Sequence, residues 1–195
     1  MRQGTAVITL IGALVVGGCS VTVPGEPAAA RSNRTSARPL PFSPTVKNRT
    51  NDRNDGTPFE PCSAYSDSEL HVLDIDPTSV QDAAQVDSAN YRGCRWREAG
   101  YTAARGGGDY SQIVGLKMSL KQYKHHMSTK RWQTDRMVDG RRLALYSENN
   151  YCSAVFASEQ AIVVTIAGST NPSPGRTVEC ARAVAFATLA ITKAP

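Results

Sequence analysis

The sequence predicts an α+β fold: a single domain on a mainly antiparallel sheet, covered by helices on one face, in the order α-β-β-α-β-β-β-α and stapled by two disulfides. Three observations predict it. Short apolar runs follow one another across turns of two to four residues, and such neighbours must pair antiparallel, because a parallel crossover needs a dozen residues or more. Segments with helical spacing stand at the start, middle and end of the domain, an arrangement that lays helices over a sheet. Five cysteines are present, and setting aside the one near the N-terminus leaves an even set suited to two bridges.

Each element has its own signal. Ser66-Asp67-Ser68-Glu69 fits a capping box, with Glu three residues after the Ser, and opens a short helix through Leu70, Val72 and Leu73. Asp76-Pro77 ends it, because proline removes an N–H and restricts its neighbour. Residues 94–100 read as a strand, residues 105–109 as a glycine-rich turn, and residues 113–118 as a second strand. Ser119 caps a helix whose Leu120, Tyr123 and Met127 share one face. The Asp139-Gly140 dipeptide is a hairpin signal leading into a strand at 143–146. Strands at 151–157 and 161–167 follow two further turns. Asn171-Pro172-Ser173-Pro174-Gly175 interrupts the chain before a closing helix over 177–192, with Cys180 or Ala181, Val184, Thr188 and Ile191 as its apolar stripe.

Composition narrows the class. The chain has 195 residues, 41% of them hydrophobic, with 22 Lys plus Arg against 17 Asp plus Glu. These values exclude fibrous and wholly disordered proteins. A single long apolar run excludes a polytopic membrane protein, and a net charge of +5 is too small to point to nucleic acid.

The N-terminus carries the clearest signal. Arg2 precedes an apolar stretch from residue 6 to 16, too short to cross a hydrocarbon core of about 30 Å. Val16-Gly17-Gly18-Cys19 follows and resembles the lipobox of bacterial lipoproteins. That resemblance implies cleavage between Gly18 and Cys19, a thioether-linked diacylglycerol on Cys19, and anchoring by acyl chains at about 0.8 kcal/mol per buried CH₂. Residues 1–18 are then a signal peptide. Residues 19–61 hold seven of the eleven prolines, among Ser, Thr, Asn and Arg, and read as a flexible tether. The globular domain is placed at 62–195.

Cys62, Cys94, Cys152 and Cys180 allow three pairings. Cys62–Cys94 with Cys152–Cys180 is favoured, since each pair joins the start of a helix to a strand beneath it. In an exported protein these serve as staples, and with no C-x-x-C and no His at ligand spacing, neither zinc nor a redox motif is expected. His71, His125 and His126 read as solvated. No hydrolase or phosphate-loop signature occurs, so no catalytic residue and no cofactor is expected. Residues 117–142 hold eight cations against Asp135 and Asp139. Within them Lys121, Lys124, Lys130, Arg131 and Trp132 form a candidate basic binding face for anionic lipid, a cell-wall polymer or a membrane protein.

With these residues in view, the chain resembles a family of actinobacterial lipoproteins known only as a domain of unknown function and including the LprB and LprC types. The resemblance rests on the Asp55-Gly56-Thr57-Pro58-Phe59-Glu60-Pro61-Cys62 opening, on Ser66–Leu70, on Ile75-Asp76-Pro77, on Arg92-Gly93-Cys94-Arg95-Trp96, and on the Cys152 strand and Cys180-led helix. It implies an envelope lipoprotein with two disulfides and brings no catalytic residues. The expected function is a non-enzymatic binding or accessory module, lipid-anchored at the outer face of the cytoplasmic membrane, using the sheet's open face or the basic face. An extracytoplasmic regulator of a sensor kinase, or an envelope hydrolase with an unrecognised site, are the alternatives.

Overall fold

Among the described residues, seven strands pair antiparallel in the order β1-β2-β3-β7-β6-β5-β4. The computed structural model describes residues 38–44, 46–84, 90–102, 104, 106–169 and 172–195, which fall in one compact unit, Ser36–Pro195. The signal segment with Gly18 and Cys19, and the tether up to residue 37, lie outside the described residues. The strands are β1 (Ile75–Asp82), β2 (Arg92–Glu98), β3 (Gly108–Lys117), β4 (Arg136–Val138), β5 (Arg141–Glu148), β6 (Tyr151–Ser158) and β7 (Ala161–Ser169). The helices are α1 (Asp67–His71), α2 (Leu120–His126) and α3 (Arg176–Lys193), with a 3₁₀ turn at Pro61–Ser63 before α1.

The expected α+β class, the element order and both disulfide pairings are present. Five details differ from the sequence reading. Residues 75–82 form the edge strand β1 rather than a helix exit and loop. It pairs with β2 in two pieces, Ile75–Asp76 and Gln81–Asp82, with an irregularity between them. An edge tolerates Pro77, which has no N–H to give. A short strand β4 was also unread, being only three residues long.

The helices occupy both faces. Leu120, Tyr123 and Met127 of α2 do share a face, but they pack on Tyr146, Val155, Ile162 and Val164, whereas α3 lies on the opposite side with Cys152, Ala154 and Phe156. The stripe of α3 is also rotated from the one expected. Its buried positions are Glu179, Ala183, Phe186, Ala187, Ala190 and Ile191, because the large Phe186 ring anchors it. Phe186 sits 5.3 Å from Tyr65, 5.5 Å from Trp96 and 6.2 Å from Tyr110, centroid to centroid, distances at which tilted and edge-on rings attract. Alanines on either side let the helix approach closely.

The fifth difference is where the folded unit begins. Residues 49–61 are packed against the sheet, not free of it. Gln160 N–H donates to Gly56 O at 2.9 Å and Lys117 N–H to Arg53 O at 3.1 Å, and Thr57 and Ser158 share a buried hydroxyl contact at 2.8 Å. Further upstream, Leu40 and Phe42 pack on the core, and Arg38 donates to the carbonyls of Ser63 and Tyr65. The proline count masks this, because the anchoring residues are single polar and aromatic side chains spread through a sequence of low mean hydropathy.

A buried charge cluster ties this segment down. Glu60 receives Arg49 at 2.6 and 3.2 Å and Arg92 at 2.9 Å. Arg49 also reaches Asp82 (3.1 Å), Cys62 Sγ (2.8 Å) and Gly93 O (3.0 Å). Burial pulls the Arg49 guanidinium down, but Glu60 and Asp82 outweigh it and its pKa lies above the ordinary value. At Arg92 burial wins and the pKa is lowered. Gly93 belongs to the same locus: at φ 157°, a Cβ there would meet Gln112 O at 2.1 Å, so only glycine lets β2 lie this close to β3.

The capping box at Ser66 forms as read, with Ser66 accepting from Glu69 N–H and Glu69 accepting from Ser66 N–H. Glu69 also meets Lys193 of α3 at 2.5 Å, so it clasps the first helix to the last. The Lys193 contact and the Ser66 backbone N–H hold its carboxyl down at about 2, against an ordinary 4.5. A depressed folded value means the stabilisation is whole above the ordinary carboxylate range and is lost as pH falls from about 4.5 toward 2. The expected result is a Glu69 carboxyl resonance titrating near the lower end of that window, with Lys193→Ala moving its midpoint upward.

Candidate functional site

Alternation along β2 sends Cys94 and Trp96 into the core and Arg95 and Arg97 to the other face. That other face is shared with α2, but α2 covers only the part over β5, β6 and β7 that carries Tyr146, Val155, Ile162 and Val164. Among the described residues, nothing covers the rest of the face. There the register aligns one row of residues across five strands: Arg97 opposite Asp109, Asp109 opposite Gly168, Gly168 opposite Tyr151, and Tyr151 opposite Glu148. A second row runs Gln81, Arg95, Ser111, Ile166.

These rows floor a trough. One depression, about 360 Å³, lies over β1, β2 and β3, lined by Ser79, Gln81, Arg95, Arg97 and Tyr101. A second, about 280 Å³, lies over β7 and the β5–β6 turn, lined by Asn149, Asn150, Tyr151 and Ile166. Asp109 and Ser111 line both, so the two meet there. At about 4.8 Å per strand spacing, the row from β2 to β5 runs about 19 Å.

The local sequence explains why the trough is open and polar. The irregularity in β1 moves its backbone off β2, and Arg97 N–H donates instead to the Ser79 hydroxyl at 2.8 Å. Gly168 leaves room for the Tyr151 side chain, whose Cβ lies 3.0 Å from where a Cβ at 168 would be. The two cations are held but not neutralised. Arg95 Nε donates to Gln81 Oε1 at 3.0 Å, and the Arg97 guanidinium lies 4.5 Å from the Tyr101 ring centroid. Neither makes an ion pair among the described residues. At the far end Tyr151 donates to Glu148, which also pairs with Lys130. Burial, then Glu148, pushes the Tyr151 phenol up to about 12, so it stays a donor at any physiological pH.

The residues singled out from sequence are distributed otherwise. Cys62–Cys94 and Cys152–Cys180 are bridged, with Cα atoms 5.2 and 4.9 Å apart, one joining the 3₁₀ turn to β2 and the other β6 to the first turn of α3. In the basic segment, Lys124 pairs with Asp135 at 2.8 Å and lies 5.1 Å from the Trp132 ring. Lys130 is paired with Glu148. Trp132 is half-buried between Tyr123 and Tyr146 and donates to Met127 O at 3.1 Å, so it serves the small core beneath α2. Lys121 and Arg131 are exposed and make no ion pair among the described residues. Lys117 is taken up by Asp55, and Arg142 lies 3.5 Å from Asp135. Four of the segment's eight cations thus pair with carboxylates, Asp55, Asp135 and Glu148. His71, His125 and His126 are exposed, and among the described residues no three His, Cys, Asp or Glu side chains are placed to hold a metal ion.

Sequence reasoning did not single out Arg95 and Arg97. The signal was available in Arg95-Trp96-Arg97, since a strand that buries its tryptophan must present both neighbours on the opposite face. A family model described as Protein of unknown function (DUF3558) matches residues 14–193. No curated protein and no solved structure matches the chain.

Proposed function

The chain belongs to that family of proteins of unknown function, and on that premise we propose that it is a lipid-anchored, non-enzymatic binding module of the cell envelope, carrying its ligand in the uncovered trough of the sheet. The observation that carries this reading is the aligned row from Arg97 to Glu148, a line of side chains spaced by the sheet itself. Rigid strands preorganise a contact surface and lower the ordering cost of binding.

The arrangement suits holding better than hydrolysis. Asp109 and Glu148 are the carboxylates of the row, three strand spacings apart, about 14 Å. Paired catalytic carboxylates of glycosidases stand about 5–9.5 Å apart.

Anchoring rests on the Val16-Gly17-Gly18-Cys19 motif, and the family match beginning at residue 14 takes that motif in. Lipidation would tether the domain at the extracytoplasmic face of the membrane, where two disulfides persist. Replacing Cys19 by Ser is expected to move the protein from the membrane pellet to the soluble fraction and to abolish incorporation of labelled palmitate. Retention in the pellet after alkaline wash, with no label, would overturn the anchor.

A further inference from the structure

We infer that the trough takes an acidic polysaccharide, a hydroxyl-rich polymer bearing carboxylates, with Arg95 and Arg97 as the carboxylate-reading side chains. This rests on the reading of the uncovered face as the ligand surface and adds the chemistry of what lies there.

The shape of the trough selects a polymer. Pockets for small molecules enclose most of their ligand, whereas this trough crosses five strands and two shallow depressions joined at Asp109 and Ser111. An extended chain can lie along about 19 Å of it, at the usual strand spacing. It lies on the face of the sheet, not at an edge, so a peptide cannot enter by adding a strand.

The lining selects the polymer's chemistry. Guanidinium donors, the Asp109 carboxylate, the amides of Gln81 and Asn149 and the hydroxyl of Ser111 offer donors and acceptors side by side, while Ile166 is the aliphatic exception. An acyl chain or an apolar helix would strip water from these groups without replacing it, at about 1–3 kcal/mol for each one left unmatched. Sugar hydroxyls both donate and accept, and the C–H faces of sugar rings can lie on Tyr101 and Tyr151 at the two ends. Two guanidinium groups free of ion pairs among the described residues share this floor with two carboxylates, Asp109 and Glu148, and Glu148 is already matched by Lys130. The complementary ligand therefore carries negative charge. Its charge density is low, because a polyphosphate or nucleic acid would call for many more cations than two. Guanidinium forks match carboxylates in a planar, two-bond geometry, which makes a uronate-type sugar the fitting unit.

Titration calorimetry of the full-length protein with oligogalacturonate tests this, with a neutral maltooligosaccharide and a polyglutamate of equal charge as comparison probes. Oligogalacturonate is expected to bind. Arg97→Ala and Arg95→Ala are each expected to weaken it at least tenfold, and Arg131→Ala, on the basic segment, less than twofold. Equal binding of the neutral sugar would overturn the role given to the arginines as carboxylate readers. Tighter binding of polyglutamate, weakened by the same two variants, would overturn the sugar while leaving the trough as the ligand surface. If none of the three probes binds, or if Arg131→Ala alone weakens binding, both the ligand class and the trough fall.

Discussion

Replacing Glu60 by Ala is expected to destabilise the protein by about 3–5 kcal/mol, because it removes the shared partner of two buried cations. Arg49 and Arg92 are 6% and 3% exposed, and neither can turn to solvent without unpacking the segment that residues 49–61 lay along the sheet. Glu60 also accepts the backbone N–H of Cys62 at 3.1 Å, so the variant loosens the 3₁₀ turn and the position of the first disulfide together. Arg92 Nε and Asp82 Oδ2 already lack hydrogen-bond partners among the described residues, which leaves the cluster little room to compensate. For a domain of this size the change corresponds to a fall in Tm of about 6–20 °C, measurable by circular dichroism. Glu60→Gln keeps the shape and one acceptor but not the charge, and is expected to fall between wild type and Glu60→Ala. A loss below about 1 kcal/mol for Glu60→Ala would show that water replaces the carboxylate and that the cluster is not a closed unit.

The second large effect is expected from Cys152→Ser combined with Cys180→Ser. The bridge closes a sequence separation of 28 residues, and the chain-entropy relation gives about 3.5 kcal/mol for a loop of that length. Cys152 is fully buried in β6, and the bridge fixes the first turn of α3 on the strand it covers. Freed of the cross-link, the unfolded chain is more expanded, so the guanidinium m-value is expected to rise as the midpoint falls. The Cys62–Cys94 bridge spans 32 residues, and its loss is expected to cost about as much in the same relation. Unfolding curves in the presence and absence of reductant check both. An unchanged midpoint under full reduction would show that packing alone holds the helices.

How far these features could be read from the chain depends on how local their causes are. Capping at Ser66 and Ser119, the Asp139-Gly140 turn with both residues at positive φ, and the short apolar runs of strands β5 to β7 are written within a few residues each. All were legible. The pairing of the cysteines was legible too, because each bridge joins neighbouring elements. Strand β1 was not, since its pairing is broken by Pro77 and depends on Ser79 reaching across to β2. The face that α3 buries was misread for a different reason: five of its positions from 181 to 190 are alanine, and alanine tells little about inside and outside. In the basic segment, the partners of Lys117 and Lys130 were not legible, because Asp55 and Glu148 are remote in sequence. The trough went unread because it exists only once β3 and β7 are paired.

That pairing joins two meanders, β1-β2-β3 and β4-β5-β6-β7, at the middle of the sheet. The strand that fuses them, β7, is the last in sequence among the described residues. If the chain emerges N-terminus first, the initial half can close Cys62–Cys94 on its own, yet β3 presents a bare hydrogen-bonding edge until residues 161–169 arrive. Completion of the molecule therefore waits on nearly its whole length, a late and non-local event that sets a slow folding step. It also makes any truncation before β7 a source of sticky, half-finished sheets.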